Sequence, residues 1–113
     1  MKLPEAIRIG YLVIRVREMD EEEACHRGIN GWWDYEKATI EIAASLAPAV
    51  KAEIFLHEVL HACCTLGNVD ISDEQEESAV NGIAPRLLQF LVDHPNIVAA
   101  MASPVEREYH ELA

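Results

Sequence analysis

The stretch FLHEVLHACCTLG, residues 55–67, decides how this chain is interpreted. His57 and His61 stand four positions apart, and residues with this spacing lie on one face of a helix. Two imidazole nitrogens on one face can reach a single ion at about 2.0–2.1 Å. Glu58 follows the first histidine and leans toward the open side of the metal, where it can take a proton from bound water. The stretch therefore predicts one zinc ion per chain, with His57 and His61 as ligands and Glu58 as catalytic base.

A helix that merely carries two histidines is the competing interpretation. The residues around the polar trio are apolar, namely Phe55, Leu56, Val59 and Leu60. A solvent-exposed helix would not surround its charged groups with such neighbours, and a dry core would not contain those groups. A bound metal resolves this conflict, so we favour the zinc interpretation.

Sequence signals on both sides of the motif define an α+β fold in a single domain over residues 1–113. We expect a small N-terminal sheet of about three strands: one over residues 6–17, and two within 32–42 joined by a turn near 36–37. The acidic run 20–23 and the following residues up to 31 are expected to be connections. Trp32 and Trp33 could line a binding groove or fill the core, and we favour the core.

Two long helices should follow the sheet. The active-site helix is expected to be capped by Ser45, to accept Pro48 in its first turn, and to end near Leu66 before Gly67. The motif Ser72-x-x-Gln75 is a capping box that begins the second helix. Pro85 is expected to kink the second helix and Pro95 to end it. A short terminal helix or a frayed end is expected over residues 104–113.

A catalytic zinc takes three protein ligands and keeps one open position. Our first choice for the third ligand is Glu77, because Asn81 follows four residues later and could orient a ligand. Glu76 is the reserve and His94 a rival third ligand. The acidic residues also have a purely electrostatic explanation, because negative charge is favoured at a helix N-terminus. Cys64 shares the histidine face but lies further along the axis, so we expect it to pack rather than bind.

The charge and cysteine content limit which partners and which cellular compartment are expected. The chain has 20 acidic and 9 basic residues, a net charge of −11 that disfavours nucleic acid and anionic membranes. No apolar run approaches the roughly 20 residues of a membrane helix. Three cysteines, two of them adjacent, argue against a disulfide framework, and a reduced, cytoplasmic protein is expected.

The segments HEVLH (57–61) and EESAVNGIAPRLLQFL (76–91) together resemble the zincin metallopeptidases of gluzincin type. More narrowly, they resemble the ImmA/IrrE group and its compact phage-borne relatives, whose second helix typically reads Glu-x-x-Ala-Asn-x-Phe-Ala-x-x-Leu-Leu. In that pattern Val80 and Ile83 are mild replacements here, and Pro85 is a larger departure. The resemblance implies a minimal zincin-like fold with zinc held by His57, His61 and Glu77.

The same resemblance implies zinc-dependent hydrolysis of a peptide bond in a protein substrate, with Glu58 activating zinc-bound water. It also implies an edge strand that receives the substrate by strand addition, for which residues 38–43 are our choice. An oxyanion-stabilising residue would come from His94, Arg86, Tyr35 or Tyr109, none of which the sequence places. The alternative function is a zinc-stabilised or metal-free protein-interaction module of phage type that has no turnover.

Overall fold

The computed structural model describes residues 1–112 and confirms the α+β class, with a mixed sheet followed by helices. The sheet has four strands rather than about three. The elements in chain order are β1 (Ala6–Ile9), β2 (Leu12–Met19), α1 (Glu21–Arg27), β3 (Gly31–Asp34), β4 (Thr39–Ala43), α2 (Pro48–Leu66), α3 (Asp73–Asp93) and α4 (Pro95–Leu112).

The extra strand comes from a hairpin at the N-terminus. The prediction of one strand over residues 6–17 is wrong, because a turn at Gly10 divides it into β1 and β2. Gly10 has a φ of 60°, a left-handed conformation that costs glycine little because it has no Cβ. β1 then pairs with β2 as an antiparallel hairpin.

The strand order is β1-β2-β4-β3, so β4 lies inside the sheet. It pairs in parallel with β2 and antiparallel with β3. The prediction that residues 38–43 form an open edge is therefore wrong. The connection through α1 and β3 carries the chain past the β4 position before it returns, and this leaves β3 at one edge of the sheet, with β1 at the other.

The segment expected to be a connection after residue 20 contains the helix α1. Asp20 caps it by accepting a hydrogen bond at 2.8 Å from the backbone N–H of Glu23. Acidic residues occupy its first turn and Arg27 its last, as the helix dipole favours. Gly28 ends the helix in the left-handed conformation.

Helix α2 packs against one face of the sheet and builds the main core. Ile14, Ile40 and Ile42 from the strands and Ala62 from the helix are fully buried. Burying each isoleucine side chain stabilises the fold by roughly 1.5–3 kcal/mol. The helix ends at Leu66 before Gly67, as predicted. The prediction that Ser45 caps it is wrong, because the helix begins at Pro48 with Ala47 at the N-cap position.

Helix α3 begins with the predicted capping box, in which Ser72 and Gln75 exchange hydrogen bonds with each other's backbone. It continues through Pro85 to Asp93, and the kink at the proline stays a prediction. Pro95 begins α4, which is a full helix rather than a short terminal one. Within residues 1–112, no helix combines the length and apolar character needed to cross a membrane.

Candidate metal centre

Three elements surround one polar cleft of about 490 Å³. Helix α2 contributes His57, Glu58 and His61, and the first turns of α3 contribute Glu76 and Glu77. The edge strand β3 forms the remaining wall together with the residues before it. Because α2 packs on both the sheet and α3, side chains from distant parts of the sequence meet at this cleft.

The imidazoles of His57 and His61 and the Glu77 carboxylate converge on one point. Their Nε2 atoms are 3.1 Å apart, and the Glu77 oxygens lie 3.3 Å from Nε2 of His57 and 2.9 Å from Nε2 of His61. Two ligand atoms each about 2.05 Å from an ion, at the tetrahedral angle, are about 3.3 Å apart. This donor set therefore matches the size and chemistry of a zinc site. Within residues 1–112, these three residues form the group of potential ligands close enough to share an ion.

Glu76, the reserve ligand, contacts the opposite side of the His61 ring. Its Oε2 lies 2.6 Å from Nδ1, while the Nε2 of the same ring faces Glu77. Asn81, which the spacing suggested as an orienting residue, is exposed, and its side chain makes no hydrogen bond within the described chain. A carboxylate contact to the His61 ring thus comes from Glu76, whereas Asn81 makes none.

The environment of His57 favours the neutral imidazole. Burial lowers the pKa of His57 and the neighbouring His61 lowers it further, whereas Glu77 raises it. A metal ligand must offer an unprotonated nitrogen. A lowered pKa therefore makes His57 available to a cation at neutral pH.

Glu58 is buried, with 8% of its surface exposed, and it lines the same cleft. Burial raises the pKa of its carboxyl to about 7, and Glu77 also raises it. His61 and the Trp33 backbone amide act in the other direction. A carboxyl with such a pKa can both accept and release a proton near neutrality, as acid–base chemistry requires.

Gly31 at the start of β3 gives Glu58 its space. A Cβ at this position would lie 2.7 Å from Cγ2 of Ile54 and 3.2 Å from Cγ and Oε2 of Glu58. No residue with a side chain fits without a shift of its neighbours. Gly31 is not among the residues predicted for the site, although a glycine inside a strand often marks a close approach of this kind.

The edge strand β3 is connected to helix α2 through Trp33. Its indole Nε1–H donates to the Thr65 hydroxyl at 3.1 Å, and that hydroxyl donates to the His61 carbonyl at 3.2 Å. Trp33 also packs against the core, as predicted. The same prediction is wrong for Trp32, which remains 48% exposed because alternate residues of a strand point to opposite faces.

Several residues considered from the sequence lie away from the cleft. His94 ends α3, whereas Glu77 lies in its first turns, about 25 Å away at 1.5 Å per residue along the axis. It is therefore not a rival ligand for this site. Cys64 is absent from the cluster, and burial raises the pKa of its thiol, which disfavours the thiolate that binds metals. Of the described residues, none of the four oxyanion candidates lines the cleft: His94, Arg86, Tyr35 and Tyr109.

Comparison of the chain with protein-family models, with curated proteins and with solved structures found no match.

Proposed function

We propose that this protein is a zinc-dependent metallopeptidase of gluzincin type that hydrolyses a peptide bond in a protein substrate. The observation that carries the proposal is the convergence of His57, His61 and Glu77 at separations of 2.9–3.3 Å beside the buried Glu58. The resemblance to the ImmA/IrrE group and its phage-borne relatives agrees with this arrangement of residues.

The proposed roles follow from the position of each side chain. His57, His61 and Glu77 hold one zinc ion, which when bound supplies Lewis acidity toward a carbonyl and lowers the pKa of water. Glu58 accepts the proton that the attacking water loses and delivers it to the leaving amine. Burial of Glu58 keeps this proton transfer out of bulk solvent.

The edge strand β3 is our choice for the substrate-binding strand. Asn30 accepts a backbone hydrogen bond from Ala43, which makes these two a hydrogen-bonded pair of the antiparallel ladder. Because such pairs alternate, the N–H and C=O groups of Gly31 and Trp33 face away from β4. An extended peptide that pairs with these groups would lie along the wall of the metal cleft.

The expected partner is a protein or peptide rather than nucleic acid or a membrane, since the chain carries a net charge of −11. We propose that it acts in the cytoplasm. The free thiols of Cys25, Cys63 and Cys64 support a reducing environment.

A non-catalytic, zinc-stabilised interaction module is the second candidate. It is favoured by one observation: among the described residues, no side chain considered as an oxyanion donor lines the cleft. A metal bound by residues of both helices would still link α2 to α3, even with no oxyanion donor in the cleft. The two candidates differ in whether peptide bonds are cleaved.

Incubation of the zinc-loaded protein with a mixed peptide library, followed by mass spectrometry, distinguishes the two functions. We expect cleavage by the wild type and a loss of roughly 10²–10⁴-fold in Glu58→Gln. Glu53→Gln changes an exposed glutamate of the same helix and should cleave like the wild type. Intact peptides at full zinc occupancy would favour the interaction module.

A further inference from the structure

Glu76 makes a short polar contact to the cluster yet has no part in the proposed reaction. Its Oε2 approaches Nδ1 of His61 to 2.6 Å, and its side chain is 23% exposed against 53% for Glu77. The contact lies on the far side of the ring from Nε2, so this carboxylate cannot reach an ion held between Nε2 and Glu77. Its position calls for an explanation other than direct metal binding.

We propose that Glu76 is a positioning residue that holds His61 with its Nε2 lone pair directed at the metal. This inference rests on the proposed metal site. An ionised carboxylate only accepts hydrogen bonds, so Nδ1 of His61 must carry the proton. In a neutral imidazole the other nitrogen is then free to act as a ligand. Partners of this kind also fix the ring plane and raise the basicity of the ligand.

His57 and His61 differ in whether a side chain contacts the ring nitrogen that faces away from the cluster. His57 has a described side-chain hydrogen bond only at Nε2, on the side that faces the cluster. His61 has contacts at both ring nitrogens, one from Glu76 and one toward the cluster. We therefore expect the metal affinity to depend on Glu76, and not on Asn81, which the helical spacing alone would suggest.

A simpler explanation of Glu76 is that acidic residues stabilise the N-terminus of α3. Glu74 lies in the same first turn, is exposed, and makes no side-chain hydrogen bond within the described chain. Glu74→Gln therefore removes the same charge from the same turn without touching His61, which makes it a matched control.

The test is the zinc dissociation constant, measured by competition with a chromophoric chelator. We expect Glu76→Ala to bind zinc about 10–100-fold more weakly than the wild type. The zinc affinity of Glu76→Gln should lie between those of Glu76→Ala and the wild type. Its amide oxygen still accepts a hydrogen bond from Nδ1–H but carries no charge. Asn81→Ala and Glu74→Gln should bind like the wild type. If Glu76→Ala fails to fold, Glu76→Gln decides the outcome.

A spectroscopic readout on the zinc-loaded protein separates positioning from general stability. With Nε2 bound to zinc, nitrogen-15 NMR should find a slowly exchanging Nδ1–H on the His61 ring in the wild type and a rapidly exchanging one in Glu76→Ala. Unchanged zinc affinity in both Glu76 variants, or an equal loss in Glu74→Gln, would overturn the positioning role while the metal site stands. A wild type that binds no zinc would overturn the metal site, and this inference with it.

Discussion

Replacing Gly31 by alanine tests the packing of the edge strand β3 against helix α2. The new Cβ would lie 2.7 Å from Cγ2 of Ile54, whereas carbon atoms prefer about 3.5–4.0 Å, so a shift of about 1 Å is required. Cγ2 is attached directly to the branched Cβ of a helical isoleucine, whose χ1 is strongly restricted. Overpacking of this kind costs about 1–3 kcal/mol. The 2.7 Å contact places this change at about 2–3 kcal/mol, and removal of a strand glycine returns about 1 kcal/mol, which leaves a net loss of about 1–2 kcal/mol.

Thermal unfolding followed by circular dichroism measures this loss. An unfolding entropy of about 2.1 cal/mol/K per residue over 113 residues makes 1 kcal/mol equal to about 4 °C, so Tm should fall by about 4–8 °C. Gly82 is the control, because a Cβ there meets nothing within 4 Å in helix α3. Gly82→Ala should raise Tm by about 2–4 °C. A Gly31→Ala variant as stable as the wild type would refute the close approach of β3 and α2.

Three further variants test individual contacts. In metal-free protein, ionisation of buried Glu58 between about pH 4.5 and 7 should lower stability, because the folded state holds this proton more tightly than the unfolded chain. Glu58→Gln should therefore be more stable than the wild type at pH 8 but not at pH 4.5. A Tm difference between the two proteins that is the same at both pH values would contradict this. Trp33→Phe should cost about 0.5–1.5 kcal/mol in urea unfolding through its bond to Thr65, and no loss would count against that bond. Ser72→Ala should lose about 1 kcal/mol, whereas Ser78→Ala, inside the same helix, should not.

Local signals in the sequence were sufficient to predict the helices that carry the site. The i, i+4 spacing of His57 and His61, the capping box at Ser72 and the stop at Gly67 each depend on residues within one or two turns. Such signals do not require knowledge of the rest of the fold. The helix α1 had a comparable cap at Asp20, and it was missed because its acidic first turn resembles a solvated connection.

The sheet order could not be predicted in this way. The parallel pairing of β2 with β4 joins residues that are far apart in sequence, and no short pattern specifies which strand becomes the edge. Residues 38–43 alternate as cleanly as an edge strand would, yet Ile40 and Ile42 face α2 inside the sheet. The position of β3 at an edge of the sheet was recognisable only after the topology was known.

Helical spacing also cannot predict that Glu76 and Glu77 contact different nitrogens of His61. Adjacent residues on a helix point about 100° apart, and both flanked the apolar stripe. Which carboxylate reaches Nε2 and which reaches Nδ1 of His61 depends on how α3 is rotated against α2. That rotation is determined by tertiary packing, including buried Val80 and Ala84.

The most direct measurement of the central claim is anomalous diffraction at the zinc edge from a crystal grown with zinc. The account predicts one peak per chain, about 2.0–2.2 Å from Nε2 of His57, Nε2 of His61 and an oxygen of Glu77. Zinc bound elsewhere in the presence of an empty cluster, or imidazoles that point away from each other, would contradict it.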